Sequence, residues 1–430
     1  MKKRLLSALC AVMLLICAVP MASAQTGDAA RRADALTVLH LLSEDPGRDL
    51  TAPATRAQAA VLLVRLAGGE KKPDTDGWFA GFRDVPDWAR TAVNYANRRG
   101  WISGVSNVQF DPNGHLNADA WCAMLLRMLG YSDKTGDFEI SDAAAFAWRI
   151  GLTGRQLIGI LSVGDLAESI YDALDFCYKG TETTVLSRLM DLGVCTTSAA
   201  NALGLLNKDY TARQLADRYL SAAFQLSLYE TEEQVHDEVS SADASGFFIS
   251  ADGLAVTNYH SIEDSIKATA TLLNGETYEV ERVLYYDTGI DIAVIKVSRT
   301  NQSRRTTSAF NYLDLVGTAD IRPGDPVYAI GNPLGLGLAI SSGIIGSTAH
   351  ELDRYALPCI VNSADISRGS SGGALMNAHG QVIGVTSGAY TYGNNMYLAV
   401  PVDPVMAADL TVSGWTLKEV KAIEAAKDKD

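Results

Sequence analysis

The sequence predicts a multidomain chain that is all-α in its N-terminal half and all-β in its C-terminal half. From Arg31 to about Asn207, apolar residues recur at three-and-four spacing, the period of amphipathic helices. From Ala244 onward the period changes to the alternation of strands, and Asp-Gly and Asn-Gly, the dipeptides of tight hairpins, join the runs. With 430 residues, 47% of them apolar, the chain can bury the cores of two or three domains, which excludes a disordered polypeptide.

The first element is a leader. Met1-Lys2-Lys3-Arg4, the apolar run Leu5 to Pro20 and the small residues Ala22-Ser23-Ala24 have the charged, apolar and cleavage regions of a secretory signal peptide over residues 1–24. The mature chain is expected to begin near Gln25. The apolar core is short for a membrane span, and no later segment could cross a bilayer. Bulky Ile16 before Cys17 argues against a lipid-anchored cysteine. The formal net charge of −14 becomes about −17 once the three leader cations are removed, so nucleic acid and anionic lipid are poor partners and no nucleic acid is expected. Beyond the leader stand Cys122, Cys177, Cys195 and Cys359, without a CxxC pair; buried thiols are expected rather than a disulfide framework. The six histidines are scattered without ligand spacing, so no metal is expected.

The helical half contains Arg56 to Ala67, Ala89 to Arg98, Ala118 to Leu129 and Val163 to Phe176, joined by turns rich in Gly, Asp, Asn and Pro. Short helices need neighbours to cover their apolar faces, and a repeated unit supplies them. Thr55-Arg56-Ala57-Gln58, Phe82-Arg83-Asp84-Val85-Pro86-Asp87-Trp88-Ala89, Gly100-Trp101-Ile102-Ser103-Gly104, Phe110-Asp111-Pro112-Asn113 and Leu125 to Tyr131 resemble S-layer homology repeats. The resemblance covers residues 31–180 as three approximate repeats, near 31–70, 82–132 and 137–180, with a helical linker over 181–211. It implies a helical domain that holds exported proteins on a secondary polymer of a Gram-positive type cell wall. Only the first repeat keeps the Thr-Arg-Ala segment, which makes Arg56 the candidate for gripping an anionic polymer through its two-pronged guanidinium. A degenerate spacer or a protein-binding module is the alternative use of the same helices.

In the second half the strand runs are Gly246 to Ser250, Leu254 to His260, Ala268 to Leu273, Thr277 to Tyr285, Ile290 to Val297, Pro326 to Ile330, Leu338 to Ser347, Cys359 to Asn362, Gln381 to Ser387 and Met396 to Pro401. Many short strands with Gly-rich turns imply a barrel or sandwich pair rather than βαβ units. Three segments carry chemistry: His260 at the end of Thr257-Asn258-Tyr259-His260, Asp291 opening Asp291-Ile292-Ala293-Val294, and Ser371 inside Gly369-Ser370-Ser371-Gly372-Gly373. Each alone is a common surface or turn feature. Their order of base, orienting acid and nucleophile along a strand-rich chain is the pattern of a catalytic triad.

Those segments, with Ser245 to Ile249, Gly331-Asn332-Pro333-Leu334-Gly335 and Ser342 to Ile345, resemble the trypsin-like endopeptidases of the HtrA/DegP branch over residues 212–405. The resemblance implies an all-β double barrel with His260 and Asp291 from the first barrel and Ser371 from the second. It further implies an oxyanion hole at the backbone N–H groups of Gly369 and Ser371, and no cofactor. Asp365 lies six residues before Ser371, and the resemblance implies that this offset is the floor of the primary specificity pocket; a carboxylate there would select Lys or Arg, and a pocket with Asp365 turned away would take small apolar residues. After Pro401 the remaining residues, a charged tail over 406–430, are too few for the PDZ domain that often follows such proteases. The expected protein is an exported, wall-associated serine endopeptidase acting on proteins or peptides; the alternative is a surface-binding protein with an inactive or latent protease fold.

Overall fold

The computed structural model describes residues 29–43, 48–69, 79–206, 209–389 and 395–427; the predicted signal peptide lies outside them. Among the described residues, those up to Ala147 and Arg155–Leu206 form one compact unit, and Trp148–Gly154 with the residues after Leu206 form a second. No helix among the described residues is long and apolar enough to cross a membrane.

In the first unit, three helices begin at the places the spacing predicts: Arg56–Leu66, Ala118–Met128 and Val163–Ala173. Each start is fixed by a polar cap. The Thr55 and Ser162 hydroxyls close capping boxes with Gln58 and Asp165, and the Asn117 side-chain oxygen accepts from the N–H of Ala120. The residues just before these caps join in a closed ring. Ala54 N–H donates to the Leu161 carbonyl at 2.8 Å, Leu161 N–H to Leu116 at 2.9 Å, and Leu116 N–H to Ala54 at 3.0 Å. One strand-like contact from each of these three segments thus serves the next, and the three following helices place Leu63, Trp121 and Ile170 in the interior. The buried Trp121 indole N–H donates to the Ser169 hydroxyl at 2.8 Å, which leaves no orphaned donor there. The expected linker contains further helices, Val185–Asp191 and Thr197–Ala202, and buries Val185, Leu186 and Leu189, so it packs into this unit.

Among the described residues, the second unit is built on twelve strands in two closed barrels. Strands β1 (Ala223–Tyr229), β2 (Ala242–Phe248), β3 (Leu254–Thr257), β4 (Lys267–Leu272), β5 (Thr277–Asp287) and β6 (Ile292–Asn301) close in the order β1-β2-β3-β6-β5-β4. Strands β7 (Pro326–Gly331), β8 (Ala339–His350), β9 (Cys359–Asn362), β10 (Ala374–Asn377), β11 (Val382–Ala389) and β12 (Tyr397–Pro401) close as β10-β11-β12-β9-β8-β7. Closure removes the unpaired edges that an open sheet of such short strands would expose.

Strand alternation sorts the cores. On β2, Phe248 points into the first barrel, where its ring stacks on Phe310 at 4.2 Å, and neighbouring Phe247 points the other way. Phe247 joins Val256, Ile292 and Val294 against Ile330, Ala374, Val385 and Val400 of the second barrel, so a continuous apolar layer fixes one barrel on the other. The segment after Pro401, expected as a charged tail, contributes to the first barrel. Trp415 exchanges two backbone hydrogen bonds with Val283, and the helix Leu417–Lys427 buries Leu417 and Val420 in that barrel's core.

Candidate active site

His260 sits in the short helix Tyr259–Ile262 that follows β3, rather than on the strand itself. Asp291 lies one residue before β6 with φ 66°, a left-handed conformation that Asp tolerates better than most residues. The tight turn that places it is held by Asp287, whose carboxylate accepts from the N–H groups of Gly289 and Ile290 at 2.8 and 2.9 Å. Because β3 and β6 are paired, with Thr257 opposite Ala293, the ends that carry His260 and Asp291 meet. The His260 ring Nδ1 lies 2.8 and 3.0 Å from the two Asp291 oxygens, and the His260 backbone N–H donates to Oδ1 at 2.8 Å.

A further donor reaches the same carboxylate. The Ser387 hydroxyl, from β11 of the second barrel, donates to Asp291 Oδ2 at 2.7 Å, and the Tyr355 hydroxyl stands 2.9 Å from Ser387 Oγ. Since Ser387 gives its single proton to Asp291, Tyr355 donates to Ser387. Burial pushes the Tyr355 hydroxyl's pKa up, consistent with a neutral donor. Asp291 is only 6% exposed, so its charge is kept in a poorly hydrated place by directed hydrogen bonds. Neither Ser387 nor Tyr355 was visible in the sequence, because each reaches the site across long sequence separation and carries no motif of its own.

Ser371 ends a loop whose carbonyls are all tied. The Arg368 carbonyl accepts from Leu334 N–H at 2.6 Å, Gly369 from the Ser245 hydroxyl at 2.7 Å, Ser370 from the Thr386 hydroxyl at 2.7 Å, and Ser371 from Ser245 N–H at 2.8 Å. A trans peptide points its N–H opposite to its C=O, so these acceptors fix where the N–H groups point. Those of Gly369 and Ser371 donate to no group among the described residues and are free to bind a ligand oxygen. Glycine is required at 372: with φ +86°, a Cβ there would stand 2.2 Å from the Ser245 carbonyl oxygen.

His260, Gly369, Ser371, Leu334 and Arg368 line one cavity of about 670 Å³. The Ser371 hydroxyl donates to the Ser387 carbonyl at 3.2 Å, and no hydrogen bond joins it to the His260 ring in this arrangement. Ser370, the other serine at the apex of the loop, is 4% exposed and its Oγ accepts from the Ser367 N–H, which leaves Ser371 as the serine of that pair that lines the cavity. Cys359 is no rival nucleophile: burial, with a smaller contribution from the Asp291 charge, pushes its thiol up to about 11. Among the described residues no group of His, Cys, Asp and Glu could hold a metal ion.

Asp365 lies apart from this cavity. It lines a smaller one of about 190 Å³ with Ile340, Ile366, Ser370 and Thr386, is exposed, and accepts a hydrogen bond from the Tyr397 hydroxyl. In the helical unit, Arg56 is engaged internally. Its Nε donates to the Phe110 carbonyl at 2.9 Å, an Nη donates to Ser103 at 2.8 Å, and the guanidinium lies over the Phe110 ring at 4.8 Å.

Residues 244–385 match the trypsin-like peptidase domain. The match falls within the second unit. The chain is 31% identical over 219 residues to serine protease HTRA1A of Danio rerio, covering 50% of this chain and 44% of that protein. It is 35% identical over 177 residues to a probable periplasmic serine endoprotease DegP-like of Halomonas elongata, covering 40% and 35%. With the mitochondrial serine protease HTRA2 of Bos taurus it shares 36% over 171 residues, covering 39% and 35%. The chain thus spans less than half the length of each of these relatives. All three alignments are too short to include both units, and the matched span of the trypsin-like peptidase domain contains His260, Asp291 and Ser371.

Proposed function

We propose that the chain is an exported serine endopeptidase in which Ser371 is the nucleophile, His260 the general base and Asp291 the group that orients the imidazole. The observation that carries the reading is the shared cavity: it joins an Asp-bound histidine, a serine hydroxyl and two backbone N–H groups without acceptors. A hydroxyl needs a base before it can attack an amide, and the Asp291 contact with Nδ1 leaves Nε2 as the nitrogen that accepts the Ser371 proton. Rotation about one side-chain bond moves Oγ from the Ser387 carbonyl towards that nitrogen. The Oγ then bonds to the substrate carbonyl carbon, and the resulting oxyanion is received by the Gly369 and Ser371 N–H groups. His260 returns the proton to the leaving amine, and water resolves the acyl-enzyme by the same route.

For the residue cleaved, the exposure of Asp365 and its hydrogen bond from Tyr397 favour small apolar side chains over Lys and Arg, since an exposed ion pair contributes only about 0–1 kcal/mol. The test is casein hydrolysis and fluorophosphonate labelling of the chain beside Ser371→Ala, with a peptide panel reading the preferred residue. The parent is expected to cleave and label, and the variant to lose labelling and at least about 10³-fold in kcat. One observation supports a second reading, a surface-binding protein with a latent protease fold: the Ser371 hydroxyl is turned to Ser387. A parent that neither labels nor cleaves under any folding-competent condition would move that reading ahead.

The helical unit would serve as the tether to a wall polymer of a Gram-positive type bacterium. Support comes from its three-fold ring of repeats and the leader-like N-terminus. With two of its nitrogens engaged by carbonyls, Arg56 offers such a polymer charge more than free donors. The chain is expected to co-sediment with isolated cell walls, and its remaining in the supernatant would exclude the tether.

A further inference from the structure

Of the two N–H groups aimed into the cavity, one is held far less securely than the other. The Ser371 N–H belongs to the peptide whose carbonyl, on Ser370, accepts from both the Thr386 hydroxyl at 2.7 Å and Gly373 N–H at 3.0 Å. Both donors sit in or beside buried strands of the second barrel. The Gly369 N–H belongs to the peptide whose carbonyl, on Arg368, accepts from one group among the described residues, the Leu334 N–H at 2.6 Å. Leu334 is in the exposed turn Pro333–Gly335, and its side chain is 65% exposed.

That turn is also strained. Leu334 has φ 57° and ψ 18°, a left-handed conformation that leucine disfavours and that Gly and Asn adopt readily. Nothing in its side chain's burial repays this. What the conformation does achieve is to direct the Leu334 N–H at the Arg368 carbonyl. The turn is fixed from behind by Asn332, which is fully buried; its N–H donates to Ser245 Oγ at 2.8 Å and its side-chain carbonyl accepts from Gly337 N–H at 2.9 Å. The Asn332 backbone carbonyl, in turn, would lie 2.4 Å from a Cβ at Gly369, so the turn and the serine loop are in close packing.

We propose that the left-handed Leu334 is a positioning residue for the oxyanion hole: its backbone N–H holds the Arg368 carbonyl away from the cavity and thereby presents the Gly369 N–H to it. The inference rests on the serine endopeptidase reading of the same site. Without the latch, the 368–369 peptide is free to turn over, and a carbonyl then replaces a donor where negative charge develops. The role belongs to the backbone of Leu334 and not to its side chain, which sets up an inverted ranking of substitutions.

Leu334→Gly and Leu334→Asn, which discard the side chain but favour the left-handed backbone, are expected to keep kcat within about threefold of the parent, with any loss appearing in KM. Leu334→Val keeps an apolar side chain and the N–H but strongly disfavours φ > 0, and it is expected to lower kcat at least tenfold. Leu334→Pro removes the N–H and cannot reach that φ; its kcat is expected to approach the 10²–10³-fold loss, roughly, of a missing oxyanion donor. Because the turn is exposed, all four variants should fold, and thermal unfolding checks this. A side-chain role predicts the reverse order, with Val near the parent and Gly and Asn impaired, and that order would overturn the proposal. Crystal structures of the parent, Val and Pro chains read the 368–369 peptide directly, whether or not the parent is active. If the Arg368 carbonyl keeps its direction in both variants, the latch is refuted; if it turns while the parent fails to label, the latch stands and the endopeptidase reading falls.

Discussion

Asp291→Asn is expected to lower kcat by about 10³–10⁴-fold with little effect on folding. The argument starts from the donors that surround the carboxylate: His260 Nδ1 at 2.8 and 3.0 Å, the His260 backbone N–H at 2.8 Å and the Ser387 hydroxyl at 2.7 Å. A carboxylate accepts all of them. An amide has one oxygen and one donor group, so one contact must reverse. The imidazole is the partner that reverses most easily, by placing its proton on Nε2 and accepting at Nδ1. That tautomer cannot take the Ser371 proton. The backbone gives no competing cause of loss, because Asn tolerates the left-handed φ of 66° as well as Asp does. Asp291→Ala would mix strain with chemistry and is the poorer test. Steady-state kinetics beside a thermal unfolding scan separate the two, and a kcat within tenfold of the parent at unchanged stability would remove Asp291 from the mechanism.

The positions of most strands along the chain and of the three polar segments could be read from the sequence because each depends on local signals. Period-2 runs bounded by Asp252-Gly253 and Asn274-Gly275 coincide with β2 to β5 within a few residues. Strand β10 escaped notice: Ala374–Asn377 is four residues long, follows a glycine-rich loop, and is buried at its first three positions, so no alternation marks it. Strand β1 precedes the change of period at Ala244 and has no turn dipeptide beside it. His260 was expected at a strand end and lies in a short helix instead, since β3 stops at Thr257 where the Thr257 hydroxyl turns to the Ser245 carbonyl at 2.8 Å.

What the sequence could not carry is the framework that aims these groups. Ser245 serves two carbonyls of the serine loop, those of Gly369 and Ser371, from the opposite barrel, and Ser387 reaches Asp291 across 96 residues. Such contacts follow from barrel closure and from the apolar layer that packs one barrel on the other. They leave no periodic trace, and a buried serine reads like any other small residue. Asp365 and Arg56 show the converse. Their spacing matched a motif, and the structure engages the first with Tyr397 and the second with backbone carbonyls.

Gly372→Ala is expected to destabilise the peptidase domain by about 2–5 kcal/mol and to abolish labelling of Ser371 even where the domain stays folded. A left-handed alanine costs about 1–2 kcal/mol by itself, and the added methyl has nowhere to go. It would meet the Ser245 carbonyl oxygen at 2.2 Å and Thr257 Oγ1 at 2.3 Å, two atoms already hydrogen-bonded to each other at 2.8 Å. Neither is the end of a flexible chain. Relief therefore requires the serine loop to withdraw from β2 and β3, which breaks the Ser245 N–H contact with the Ser371 carbonyl and moves both Oγ and its N–H relative to His260. Gly388→Ala is the matched control, because a Cβ there meets nothing within 4 Å. Thermal unfolding is expected to fall by roughly 5–15 °C for the first and to stay within about 2 °C for the second. Should both variants unfold like the parent and label at its rate, the serine loop is not clamped between the barrels, and the fixed direction of its N–H groups loses its basis.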